Sequence, residues 1–342
     1  MLSGVSSKAS DLGEFRLIDR LVAKLGEAGD RVVIGPGDDA AAVRIGEATA
    51  LATADMLLEG VHFEIGLSTP ADVGWKALAV NLSDIAAMGG VPRFALVSLG
   101  APAETPAATL EEIYEGLAEC ALAFGVAIVG GDTVRADELI VSVAVIGESG
   151  PSGIVTRGGA TPGDVVCVTG ALGGAAAGLA LLRAAASDEC AASVLDRFPA
   201  LADAHRRPMP RVREGLSAAQ AGATAMVDVS DGLGQDLGHI CESSGTGVLL
   251  SGAQIPLAAG IPEVARWAGV DPLRLSLGGG DDYELAIAVP AESLDALRAA
   301  VGSTQLTRIG EITARDRLVL RRDDGTEEEL SSLGWDHFEG DA

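Results

Sequence analysis

The sequence predicts an α/β protein of two domains, with mixed sheets flanked by helices. Three observations carry this expectation. Apolar runs of strand length alternate with longer segments of helical periodicity. The links between the first strand candidates are too short for a helical crossover, which makes part of the sheet antiparallel. A Gly/Ser/Pro cluster, Ser149-Gly150-Pro151-Ser152-Gly153, divides the chain into 1–150 and 151–342, each long enough for its own core.

The elements follow in order. Residues 14–25 have apolar positions at helical spacing, and strand candidates cover 31–34, 40–44 and 50–54. Ser68 or Thr69 caps a helix of roughly 18 residues with Pro70 in its first turn. In it Leu78, Leu82 and Ile85 form the core stripe, while Asn81 and Asp84 share a neighbouring face, and Gly89-Gly90 ends it. Strands at 94–98, 126–129 and 139–146 surround a helix at 109–124. The second half opens with strand 165–169, which runs into the small-residue turn Gly170 to Gly178. That turn suits either phosphate on exposed N–H groups or tight Ala/Gly packing. A helix from Arg211, a strand at 225–227, a helix at 232–243 and a strand at 285–289 complete the reading, with the acidic run 323–329 as a solvated loop.

Composition narrows the function. A formal charge of -25 disfavours nucleic acid and anionic membranes as partners. The lysines are Lys8, Lys24 and Lys76, and none stands in a Walker-type phosphate loop. Cys120, Cys167, Cys190 and Cys241 stand singly in apolar surroundings, which predicts four buried thiols and a reducing, cytoplasmic setting. No apolar run reaches the ~18 to 20 residues of a membrane span.

Gly35-Pro36-Gly37-Asp38-Asp39 places two carboxylates where an apolar strand stops, and the pattern recurs. Asp55, Asp132, Asp228 and Asp231, and the pair Asp281-Asp282, also follow apolar or Gly-rich runs, while Asp84 comes from a helix. A lone Gly-Asp-Asp is an ordinary polar turn. Gathered in one cleft, however, Asp39, Asp55, Asp84, Asp132, Asp228 and Asp231 need counter-charge to stay ionised. Oxygen ligands without a His/Cys set point to several Mg2+ or Mn2+ ions rather than zinc, and Mg2+ on carboxylates points to a polyphosphate substrate. Nucleotide-dependent phosphoryl transfer is the reaction expected.

The motifs Gly35-Pro36-Gly37-Asp38-Asp39-Ala40, 55–63, 76–89, Gly130-Gly131-Asp132-Thr133, Asp228-Val229-Ser230-Asp231-Gly232-Leu233, 279–285 and Trp335-Asp336-His337-Phe338 together resemble the thiamine-monophosphate kinase family. That family lies in the aminoimidazole-ribonucleotide synthetase superfamily. The resemblance implies an N-terminal α/β domain that dimerises through its sheet, a C-terminal α/β domain, and ATP in the cleft between them. It implies transfer of the ATP γ-phosphoryl to thiamine monophosphate, the last step of thiamine diphosphate biosynthesis, with no dedicated catalytic base. Asp39, Thr53, Asp55, Asp84, Asp132, Asp228 and Asp231 would hold Mg2+, with a monovalent cation as a further candidate. Tyr114, Gly131, Asp132, Arg157 and Ser230 would contact ATP, and His62, Asp281 and Trp335 the acceptor. From the residues alone, His62 is equally a satisfied histidine, Trp335 and Tyr114 packing residues, and Arg157 a surface residue. Ala54 stands where the family commonly has Thr, and Asp281 where it commonly has Glu. The competing readings are another ATP-dependent enzyme of the superfamily, of cyclo-ligase or selenophosphate-synthetase type, and an acidic metal-binding scaffold without turnover.

Overall fold

The computed structural model describes residues 11–25 and 29–330. The first half runs α1 (Glu14–Val22), β1 (Val32–Ile34), β2 (Ala41–Ile45), β3 (Ala48–Leu58), α2 (Pro70–Ala87), β4 (Gly90–Ala101), α3 (Ala107–Phe124), β5 (Ala127–Arg135) and β6 (Ile140–Ser149). Its six described strands form a mixed sheet in the order β1-β2-β3-β6-β4-β5, parallel only between β4 and β5.

Thr69, the second of the two candidate caps, starts α2. Its hydroxyl accepts from the Asp72 amide while the Asp72 carboxylate accepts from the Thr69 amide, and Pro70 fills the first turn. Almost every residue of α2 is then buried, Lys76, Asn81 and Ser83 included. The helix lies between the sheet, α3 and the second half of the chain, so one apolar core runs from Leu51 and Val143 through Leu78 and Leu82 to Met226 and Ile287. Helices α2 and α3 touch backbone to backbone. A Cβ on Gly116 would meet the Ala71 carbonyl at 1.8 Å, and one on Gly74 the Ile113 carbonyl at 1.9 Å.

The second half runs β7 (Val165–Thr169), α4 (Gly174–Ala184), α5 (Glu189–Arg197), α6 (Ala200–Arg206), α7 (Val212–Ala221), β8 (Ala225–Asp228), α8 (Leu233–Ser244), β9 (Gly247–Ser251), α9 (Ile261–Ala268), α10 (Pro272–Gly278), β10 (Leu285–Val289), α11 (Leu294–Val301), β11 (Leu306–Thr313), β12 (Leu318–Arg321) and β13 (Glu327–Glu329). A second mixed sheet has the order β13-β12-β9-β11-β7-β10-β8. Among the described residues no helix is long and apolar enough to cross a membrane.

Several expectations need correction. Asp55 and Asp132 lie within strands rather than at their ends, because the period-2 alternation of β3 continues to Leu58 and β5 continues to Arg135. Residues 327–329 of the acidic run are a strand. Arg317, Arg321 and Arg322 pair with Glu329, Glu327 and Glu328, and those guanidinium groups offset the run's charge. Cys190 is exposed in the first turn of α5, while Cys120, Cys167 and Cys241 are buried. The Gly170 to Gly178 turn makes the close contacts of the packing alternative. Gly173 N–H donates to the Asp282 carboxylate at 2.7 Å, and a Cβ on Gly178 would meet the Leu201 carbonyl at 1.9 Å.

Candidate active site

Three carboxylates from distant parts of the chain converge where α2 meets both sheets. Asp39 comes from the turn before β2, Asp84 from the last turns of α2, and Asp228 from the end of β8; one oxygen of each lies within 4.8 Å of the others. Burial, then Asp55, Asp228 and Asp39, push the Asp84 carboxyl well above the usual range. Burial and Asp39 raise Asp228 to about 8. Burial also raises Asp39, to about 6, against the pull of Arg157. Three acids held this way favour protonation unless positive charge enters among them.

The scaffold orients them by hydrogen bonds. Thr53 Oγ1 donates to Asp84 Oδ2 at 2.5 Å, Ser83 Oγ to Asp228 Oδ2 at 2.6 Å, and Arg157 to Asp39 Oδ1 through Nε at 3.2 Å and a terminal nitrogen at 2.5 Å. Asp38 accepts the Arg157 amide, which fixes the loop that carries the guanidinium. Asn81 Oδ1 accepts the Asp55 amide at 3.1 Å, and burial raises the Asp55 carboxyl. One atom stands out: Asp39 Oδ2 is buried without a hydrogen-bond partner among the described residues. An orphaned carboxylate oxygen beside the buried Asp228 and the part-buried Asp84 is the donor set of a hard divalent cation, so the residues fit Mg2+.

The other predicted residues divide into three groups. Asp231 lies beyond β8, where its ligand atoms gather with those of Asp236 and His239 on α8, and Gln235 donates to its Oδ2 at 3.0 Å. Ser230 precedes it and its carbonyl accepts the Asp281 amide at 2.7 Å, which joins this loop to the next. There Asp281 pairs with Lys76, whose ammonium donates to Oδ2 at 2.7 Å and to the His62 carbonyl at 3.2 Å. His62 Nδ1 accepts from the Leu58 amide, so its ring proton sits on Nε2. His62 and Asp281 thus face one wall, and Trp335 lies outside the described residues.

Gly131, Asp132 and Tyr114 are placed elsewhere. In the sheet, Asp55 is paired to Val143, Val97 and Gly131 in one row, while Asp132 belongs to the next row with Ser98, Ser142 and Met56. Residues in one row share a face and adjacent rows face opposite ways, so Asp132 lies on the outer face and Asp55 on the inner one. Two strands and about 14 Å also separate β3 from β5. Gly131 is required where it stands, since a Cβ would meet the Val97 carbonyl at 1.7 Å. Tyr114 is part-exposed on α3.

Sequence reasoning missed Ser83, Lys76, His205, Asp236 and His239. The one available signal was Lys76, one of three lysines, standing in the helix that carries Asn81 and Asp84. The others depend on contacts between residues far apart in the chain or on a helix face next to Asp231.

Comparison with known proteins places the chain in a family. Residues 37–149 match the model of the AIR synthase related protein N-terminal domain, and residues 161–323 match that of its C-terminal domain. The chain is 42% identical over 285 residues to thiamine-monophosphate kinase of Mycobacterium tuberculosis (strain H37Rv), covering 83% of each chain. It is 36% identical over 316 residues to the enzyme of that name from Bacillus subtilis (strain 168), covering 90% of this chain and 94% of that one. Its fold is similar to that of AaThiL complexed with AMPPCP and TMP, with a TM-score of 0.84 and 31% identity over 98% of this chain and all of that one.

Proposed function

The chain belongs to the AIR synthase related family and, within it, to the thiamine-monophosphate kinases, ATP-dependent enzymes, and from that premise we propose how its residues divide the work. The reaction joins an oxygen of the acceptor's phosphate to the γ-phosphorus of ATP and breaks the bond to the β-phosphate oxygen, giving thiamine diphosphate and ADP. The acceptor oxygen is already anionic, so no strong base is needed; the protein must align two polyanions and neutralise their charge.

In this reading Asp39, Asp84 and Asp228 hold Mg2+, with Thr53 orienting Asp84, and Asp55 and Asp231 at the margins of the same cleft. Held by these three acids, Mg2+ would supply the counter-charge that they and a polyphosphate both lack. Arg157 holds Asp39 in place and carries the guanidinium nearest the metal set, where a bidentate donor suits phosphate oxygens. Ser230, one residue from Asp231, takes the nucleotide side. His62, Asp281 and Trp335 take the acceptor; residues 1–150 supply most of the metal, nucleotide and subunit contacts, and 151–342 supply nucleotide and acceptor contacts, with Asp228 and Asp231 reaching the metal from the second half and His62 the acceptor from the first. A monovalent cation is a further candidate at the acidic cleft, and a cytoplasmic setting suits the substrates.

A homodimer belongs to the proposal. The outer face of the first sheet exposes Met56, Phe94, Leu96, Val134 and Ile146 together, an apolar grouping of the kind that marks an interface. Pairing two such faces also turns Asp132, which stands in the row of Met56 and Ser142, toward a second copy.

The observation that carries the metal assignment is the orphaned Asp39 oxygen within the Asp39, Asp84, Asp228 cluster. The test is incubation of the purified protein with ATP, thiamine monophosphate and Mg2+, with free thiamine as acceptor control and chelator in place of Mg2+. Thiamine diphosphate formed only from the monophosphate and only with the metal is the expected result. Turnover that survives the chelator would remove the metal from the reading.

A further inference from the structure

Lys76 is buried in the middle of α2, a position where an ammonium is costly unless fully paired. Its two acceptors are the Asp281 carboxylate and the His62 carbonyl, residues that stand 205 and 14 positions away. Asp281 is held on every side. Its Oδ1 accepts the Tyr283 hydroxyl at 2.9 Å, its amide donates to Ser230, and it adopts φ 62°, a conformation that side chains other than glycine rarely take. Burial pushes its carboxyl up, while Lys76, together with the Tyr283 hydroxyl and the other groups facing it, holds it below the usual range.

Beyond Asp281 lies His205, on α6 and 3% exposed, with Nδ1 at 3.7 Å from Asp281 Oδ2. That distance is too long for a hydrogen bond, and the buried nitrogen has no hydrogen-bond partner among the described residues. Buried unpartnered ring nitrogens are rare unless a ligand or water completes them. Burial, then Lys76, lower its pKa to about 4, so the ring is neutral and able to present an N–H or a lone pair as an incoming group requires.

We propose that Lys76 is a positioning residue for the acceptor, and that His205 is a further acceptor contact on the same wall. Lys76 ties His62 from the first half of the chain and Asp281 from the second into one surface. His205 Nδ1 completes that surface toward the polar edge of the acceptor's aminopyrimidine ring, whose ring nitrogens and amino group alternate acceptor and donor. The shorter Asp281 is compatible with this arrangement because the ammonium, rather than side-chain length, sets where the carboxylate sits. The inference rests on the assignment of His62 and Asp281 to thiamine monophosphate.

Steady-state kinetics of the full chain decide it, with KM measured separately for thiamine monophosphate and ATP in Lys76→Met, Asp281→Asn, the double variant and His205→Leu. Lys76→Met is expected to raise the acceptor KM about tenfold or more with little change in the ATP KM, because only ground-state acceptor contacts are disturbed. The double variant is expected to match Asp281→Asn alone, the non-additivity of a residue acting through another. His205→Leu is expected to raise the acceptor KM several-fold without lowering the thermal midpoint. Parallel rises in both KM values, or additive effects in the double variant, would overturn the inference. If Lys76→Met does not fold, the charge-balanced double variant still reads the coupling. If Asp281→Asn and His62→Ala leave the acceptor KM unchanged, the acceptor assignment itself fails; if they raise it while Lys76→Met and His205→Leu do not, only this inference fails.

Discussion

Ser83 donates a buried hydrogen bond of 2.6 Å to Asp228, and the two residues stand 145 positions apart, one on the central helix and one at the end of a strand in the second sheet. The bond joins the two halves of the chain at the cluster of Asp39, Asp84 and Asp228. It also favours the ionised form of Asp228 against burial and against Asp39.

Ser83→Ala therefore removes a charge-assisted bond and leaves a buried carboxylate oxygen unpartnered, at a cost of roughly 1–3 kcal/mol. The expected outcome is a lower urea midpoint together with a higher Mg2+ concentration for half-maximal activity. Ser83→Thr, which keeps the hydroxyl, is expected to recover most of both. Unchanged metal dependence in the alanine variant would separate Asp228 from the metal.

Asp84 makes the opposite trade. The substitution Asp84→Asn keeps an oxygen for the Thr53 hydroxyl while deleting the charge that Asp55, Asp228 and Asp39 repel. This variant is expected to melt higher than the parent protein in the absence of metal, and to lose Mg2+-dependent turnover by a factor of about 100 or more, the trade-off common to functional clusters. Calorimetry without metal and a kinase assay with it read the two arms. A variant that melts lower and stays active would assign Asp84 a purely structural role.

The parts of this site that were legible in the sequence are those that local rules encode. Thr69, Pro70 and Asp72 announce the start of α2, and the i, i+4, i+7 stripe of Leu78, Leu82 and Ile85 fixes which side is buried, so Asn81 and Asp84 could be placed beside the core. The glycines before Asp39 and the apolar run before Asp228 signalled chain turns with work to do. What the sequence hides is pairing across distance. Nothing local distinguishes Ser83 from a helix-surface serine, or His205 from a solvated histidine. Face is hidden too. The stretch around Gly130-Gly131-Asp132 has no clear alternation, and only the row pairing of β4 with β5 shows that Asp132 points away from Asp55.

Burial of His205 has a consequence for acid stability. Its folded pKa, about 4, lies below the ordinary histidine value of 6.5, so between these the unfolded chain binds more protons and stability falls as pH drops. The contribution is fully present above pH 6.5 and is lost progressively down to about 4, at roughly 1.4 kcal/mol per pH unit at most. His205→Leu is expected to flatten the fall in urea midpoint across that window relative to the parent. Identical slopes would mean that His205 takes up its proton without unfolding.

The outer face of the first sheet gives the last prediction. Leu96 and Ala144 face each other across β4 and β6, with Phe94 opposite Ile146 and Met56 in the row of Ser142. All of these point away from the helices, and Phe94, Leu96, Ile146 and Met56 are between 39% and 58% exposed. With a formal charge of -25 per chain, two copies repel at long range, and this weakly charged, apolar face is the place where contact costs least and gains most. Sedimentation of the parent protein is expected to give the mass of two chains. Leu96→Asp is expected to give one chain with a nearly unchanged melting midpoint, because the substituted side chain already faces water in the monomer. In the proposed dimer, kinase activity should fall with dissociation, since Asp132 on this face then loses any second active site to serve. A monomeric parent protein would remove the dimer from the proposal, and a monomeric Leu96→Asp variant with full activity would show that each chain completes its site without Asp132.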